Sequence, residues 1–120
     1  MKNKTFSASV WCALKGLGYA IKTEKNYRYY FLIILTFTVL NIIVGVPYLA
    51  YITQWISVFG VFSAECTNTA LEHLIDMQTK EIKEEIRIIK DVAAGAVVTW
   101  GIAYFGGEFI WIILTLLGVC

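Results

Sequence analysis

Residues 29–64 read YYFLIILTFTVLNIIVGVPYLAYITQWISVFGVFSA and contain no Asp, Glu, Lys or Arg. Tyr29 to about Val46 is long enough, at ~1.5 Å per helical residue, to reach most of the way across a ~30 Å hydrocarbon layer. Gly45 and Pro47 break that run, because glycine tolerates a left-handed turn and proline cannot continue the hydrogen-bond ladder. A second apolar run begins at Tyr48. So short a connection predicts an antiparallel hairpin of two membrane helices.

Working outward, the Met77–Asp91 stretch is strongly charged, with Lys80, Glu81, Lys83, Glu84, Glu85 and Arg87. A third apolar run extends from Val92 to Val119. On the other side, Phe6, Val10, Leu14, Leu17 and Ile21 recur at helical spacing, with Lys15 and Lys22 opposite. That pattern predicts an amphipathic helix lying in the membrane interface. The expected architecture is an all-α membrane protein in one domain, 1–120. It has a surface helix over about 6–25 and spans over about 29–46, 48–70 and 92–118.

Composition agrees. The 120 residues are 58% hydrophobic with mean hydropathy +0.67, against roughly 45–50% apolar residues in soluble domains. A net charge of +1 gives no reason to expect a nucleic-acid partner. Lys2, Lys4, Lys15, Lys22, Lys25 and Arg28 precede the first span, and the other basic residues lie between the second and third. The positive-inside rule therefore places the N-terminus and the charged loop in the cytoplasm, as expected of a multi-pass membrane protein. A cleaved signal peptide is not expected, since the first apolar run starts late and is long. Cys12, Cys66 and Cys120 follow no metal or pairing pattern and read as small apolar residues.

Glu65-Cys-Thr-Asn-Thr-Ala-Leu-Glu-His-Leu-Ile-Asp76 carries the chemistry. Glu65, Asn68, Glu72 and Asp76 are spaced by three, four and four, which lines them along one helix face, with Thr69 beside them. Clustered carboxylates repel and are costly near hydrocarbon. A magnesium ion relieves both problems, since it takes one or two carboxylates and leaves other positions to water and phosphate oxygens. Glu24 and Arg28 before the first span, and Lys90 and Asp91 before the third, fall at the same depth. Glu24, Glu72, Lys90 and Asp91 are thus expected to meet in one interfacial layer, with the parts phosphoryl transfer requires. For Asp76 a solvated helix end suffices, and for Arg28 and Lys90 snorkelling to head groups is an equal alternative. No Gly-x-x-x-x-Gly-Lys-Ser/Thr loop occurs.

Four blocks carry a resemblance: Lys15-Gly-Leu-x-x-Ala20, Thr23-Glu-Lys-Asn-x-Arg28, Glu65-x-x-Asn-Thr-Ala-x-Glu-x-x-x-Asp76 and Lys90-Asp-x-Ala-Ala-Gly-Ala-Val97. In order and spacing they resemble the prokaryotic diacylglycerol kinase family, which includes the undecaprenol kinases of Gram-positive bacteria. The resemblance implies a homotrimer with composite active sites at the cytoplasmic interface, using ATP and Mg2+. It implies that Glu72 is the general base on the lipid hydroxyl and holds magnesium with Glu24. Gly16, Glu65, Asn68, Lys90 and Asp91 match active-site positions that contact nucleotide, phosphate or metal, or orient the carboxylate. Arg28 and Asp76 match polar positions at its margin. The Thr-Glu-Lys-Asn and Asn-Thr-Ala wording is closer to the undecaprenol kinases, so undecaprenol is the expected substrate and diacylglycerol the alternative. Two features depart from the family: the charged loop before Lys90, and Glu108 deep in the third span, which either snorkels toward the outer face or pairs with another polar group such as Gln54. Intramembrane acids also suit a small transporter or ion pathway, and a charged loop suits a non-catalytic subunit that docks a partner.

Overall fold

The computed structural model describes residues 5–81 and 83–119, so Lys2, Lys4 and Cys120 lie outside the described residues. They form four helices, α1 (Phe6–Thr23), α2 (Asn26–Val44), α3 (Tyr48–Gln78) and α4 (Glu84–Leu116), with no strand among them. Each boundary has a local cause. Thr5 caps α1, its side-chain oxygen accepting from the Ala8 amide at 3.2 Å; this satisfies a donor that the first turn leaves free. Glu24 then turns extended, with φ −92° and ψ 115°, which ends α1 and starts α2 two residues on. Gly45 closes α2 at φ 82°, and the amides of Gly45 and Val46 both return to the Asn41 carbonyl. Pro47 then opens α3 where its missing N–H costs nothing.

The molecule measures 54 × 41 × 19 Å, so the helices lie in a thin layer. α3 runs along α4 for much of its length, and α1 touches α3. α2 closes against both through aromatic rings. Tyr27 and Phe31 meet Phe62 of α3 edge-on at 5.0 and 5.5 Å, and Phe37 meets Tyr104, Phe105 and Phe109 of α4. Edge-to-face pairs of this kind add to simple burial.

The outward faces are apolar. Ile43, Phe59 and Ile102 are each about 70% exposed, as Phe6, Val10 and Leu14 of α1 are in large part. Faces of this size are unusual on a soluble monomer. α2 and α4 are long and apolar enough to cross a membrane. α3 is longer than the expected 48–70 span and continues unbroken to Gln78. Its polar side chains point inward instead: Gln54, Glu65, Asn68 and Thr69 are all buried. Glu108 of α4 is also buried, and its partner is Asn41 of α2, whose Nδ2 donates to it at 3.1 Å. Gln54 joins through the same amide rather than through the carboxylate.

Gly60 sets how closely α3 and α4 approach, because a Cβ there would fall inside the Trp100 indole. Gly60→Ala is expected to destabilise the detergent-solubilised protein by about 1–3 kcal/mol, the usual cost of overpacking. Thermal unfolding with Gly60→Ala/Trp100→Leu checks this, since the smaller partner should restore most of the loss.

Candidate functional site

Where α3 leaves the apolar layer, its inward face carries Glu65, Asn68, Thr69 and Glu72 on consecutive turns. The break between α1 and α2 brings two partners to this face. Thr69 donates its hydroxyl to Glu24 Oε2 at 3.2 Å, and Asn26 Nδ2 donates to Glu65 Oε1 at 2.7 Å. Glu65 is 2% exposed. The Asn26 amide therefore answers a carboxylate that water does not reach, and such an acceptor is costly to leave unpaired. Asn68 Nδ2 donates to Glu72 Oε1 at 3.0 Å, while its own Oδ1 is buried with no partner.

Next to this cluster a cleft of about 300 Å³ opens between α1 and α3. Gly16, Tyr19, Cys66, Thr69 and His73 line it, and no atom stands within 4 Å of where a Gly16 side chain would begin. One lining residue of α3, Thr69, is bound to Glu24, so the cleft borders the carboxylate cluster.

The expected single layer is only partly assembled within one chain. Glu24, Glu65, Asn68 and Glu72 gather, but Lys90 and Asp91 turn to other partners. Lys90 Nζ lies 3.0 Å from Asp76 Oδ1, and Arg87 bridges Asp91, at 2.9 Å, and Glu84. The reason is helical register. Asp76 is one turn, about 6 Å, beyond Glu72 along α3, and the antiparallel α4 sets Lys90 beside it. Asp91 is exposed and follows the i, i+4 pairing with Arg87 on its own helix. The hydrogen bond from Lys90 holds the Asp76 carboxyl below its ordinary value, and that from Arg87 does the same for Glu84. Arg28 is exposed at the start of α2. Asn26 is the residue the sequence reading left out; its signal was an amide placed between Glu24 and Arg28.

Among the described residues no three His, Cys, Asp or Glu side chains gather into a metal cage. The donors present are nevertheless all oxygen: the Glu24 and Glu72 carboxylates, the Thr69 hydroxyl and the unpartnered Asn68 Oδ1. That set fits a hard cation completing its shell with water and phosphate, as magnesium does.

The family model for prokaryotic diacylglycerol kinase matches residues 11–116. An undecaprenol kinase of Bacillus subtilis (strain 168) is 26% identical over 100 residues, covering 83% of this chain and 80% of that protein. A diacylglycerol kinase of Synechocystis sp. is 33% identical over 97 residues, or 76% of this chain; the match spans 53% of that longer protein. No solved structure gives a significant match.

Two outcomes test the geometry. Asn26→Ala should lower stability by about 1–3 kcal/mol, because it takes an amide donor from the buried Glu65 carboxylate and leaves it to Tyr30, whereas Asn26→Asp should be worse still through like-charge repulsion. The Asp76–Lys90 pair should stabilise fully above the ordinary aspartate value of 3.8. A group whose folded value is lowered loses its contribution as pH falls through that value. The unfolding midpoints of wild type and Asp76→Asn should therefore converge on acidification below about pH 4.

Proposed function

The chain belongs to the prokaryotic diacylglycerol kinase family, and on that premise we propose that this membrane lipid kinase transfers the γ-phosphoryl group of ATP to undecaprenol. Diacylglycerol is the alternative acceptor. The observation that carries the reading is the grip of Asn68 on Glu72, on the same face of α3 as Glu65 and as Thr69, which pairs with Glu24 and lines the α1–α3 cleft.

Glu72 is the general base. As the lipid hydroxyl oxygen attacks the γ-phosphorus, the bond to the β–γ bridging oxygen breaks and ADP leaves with that electron pair. The hydroxyl proton passes to Glu72. A carboxylate suffices because the loose transition state of phosphoryl transfer asks for little early deprotonation. Asn68 fixes the orientation of Glu72, and Asn26 holds Glu65 in place beside it. The nucleotide enters along Gly16, where α1 offers room for a close approach. Glu24 and Glu72, with oxygens of Asn68 and Thr69, would hold a magnesium ion, which when bound would supply positive charge to the phosphates. Lys90 adds charge toward the γ-phosphate and Asp91 occupies an active-site position beside it; Arg28 and Asp76 lie at the margin.

Three features support the assembly. α3 lies between two membrane-length helices, which favours α2, α3 and α4 all crossing, with the N-terminus and the site in the cytoplasm. The broad apolar faces leave area for lipid and for other subunits. Within one chain, Lys90 and Asp91 are engaged away from Glu72, as suits a homotrimer whose sites are completed between neighbours.

Labelled ATP with Mg2+, offered undecaprenol and diacylglycerol side by side, tests the reading. Labelling of undecaprenol well above diacylglycerol is expected. Glu72→Gln should lower transfer by about 10²–10⁴-fold, the usual share of a general base, with an unchanged elution volume. Loss of the assembly together with activity would make Glu72 structural. Failure to label either lipid would remove the proposed chemistry.

A further inference from the structure

A second polar cluster lies at the opposite end of the helical layer from Glu72. Asn41 is one turn from the end of α2, Gln54 is two turns into α3, and Glu108 is near the far end of α4. Their exposures are 1%, 2% and 2%. Asn41 Nδ2 donates to Glu108 Oε2 at 3.1 Å and, more weakly, to Gln54 Oε1 at 3.5 Å. Gln54 Nε2 donates to Thr38 Oγ1 at 3.0 Å and reaches the Tyr104 hydroxyl at 3.5 Å. α2, α3 and α4 each contribute, and the phosphoryl-transfer chemistry uses none of these residues.

Two things about this cluster are unfinished. The first is charge. No Lys or Arg occurs between Arg28 and Lys80 or after Lys90, and no ion pair reaches Glu108 among the described residues. A carboxylate in hydrocarbon surroundings without a counter-charge is strongly disfavoured. The second is an oxygen. Asn41 Oδ1 is buried and has no hydrogen-bond partner, although its amide nitrogen is fully engaged. Buried carbonyl oxygens of this kind rarely go unsatisfied.

We propose that Asn41, Gln54 and Glu108, with Thr38 and Tyr104, form an intramembrane site for one small monovalent cation of the sodium class. A single carboxylate balances a single positive charge, whereas a divalent ion would leave net charge in apolar surroundings. The donors are a carboxylate, amide carbonyls and hydroxyls, which suit hard cations. The oxygens of Glu108, Gln54, Thr38 and Tyr104 each lie 3.0–3.5 Å from an Asn41 or Gln54 amide nitrogen, so the cluster is closely drawn and suits a small ion before a large one. An ion seated between Glu108 and Asn41 Oδ1 answers both deficits at once and ties α2 to α4.

The test uses the full-length protein in detergent with EDTA and no nucleotide, so its outcome is independent of the proposed kinase site. The unfolding midpoint is followed as NaCl replaces choline chloride at constant ionic strength, and 22Na+ binding is counted per chain. A saturable rise in midpoint with Na+, weaker with K+, and about one ion bound per chain are expected by linkage. Glu108→Gln, which keeps shape and hydrogen bonding, should abolish both. Thr38→Val, should Glu108→Gln fail to fold, is expected to move the Na+ dependence several-fold higher. A wild-type midpoint indifferent to Na+ overturns the site and leaves Glu108 held by hydrogen bonds or a proton alone. An equal Na+ response in Glu108→Gln also overturns it, placing the ion elsewhere.

Discussion

Everything in this structure depends on one requirement: polar groups inside a thin, apolar layer must find partners within the layer. The outer faces of α2, α3 and α4 are apolar, so no water-facing side is available to take a misplaced amide or acid. α3 answers by turning Gln54, Glu65, Asn68 and Thr69 inward; α2, α4 and the α1–α2 joint supply partners for Gln54, Glu65 and Thr69, while Asn68 pairs with Glu72 of α3 itself. The pairings between elements fix one helix against another. Asn26 to Glu65 and Thr69 to Glu24 seat the α1–α2 joint on α3, and Asn41 to Glu108 joins α2 to α4. Apolar packing alone is non-directional and would tolerate sliding; directed hydrogen bonds in low dielectric do not.

The same requirement separates the chain into two polar ends. Glu65, Asn68 and Glu72 gather at one end and Asn41, Gln54 and Glu108 at the other, with Val58, Val61 and the aromatic contacts of Phe62 between them. Among the described residues the acids of one chain form no unbroken line between the two ends. The end near Glu72 borders the α1–α3 cleft through Thr69. The other end is closed by the packing of three helices.

Much of the architecture was legible because hydrocarbon imposes a length and a composition. The run from Tyr29, the break at Gly45 and Pro47, and the amphipathic spacing of Phe6 to Ile21 each map to a helix or its end. The stripe from Glu65 to Asp76 was legible for a similar reason, since 3.6 residues per turn fixes which side chains share a face. Boundaries read less well: α3 runs on to Gln78 and α4 begins at Glu84, because charged residues end an apolar run without ending a helix.

Partners between helices were not legible. Lys90 goes to Asp76 and not to Glu72, and Glu108 goes to Asn41 and not directly to Gln54. Both choices turn on the axial offset of one helix against another, which a shift of a single turn would reverse. The sequence by itself determined that this chain is helical, apolar on its outer faces and acidic along one stripe, since those follow from composition and period. Only the tertiary structure decided which acid meets which amide or amine, because that depends on register, and register is set by the whole packed layer at once.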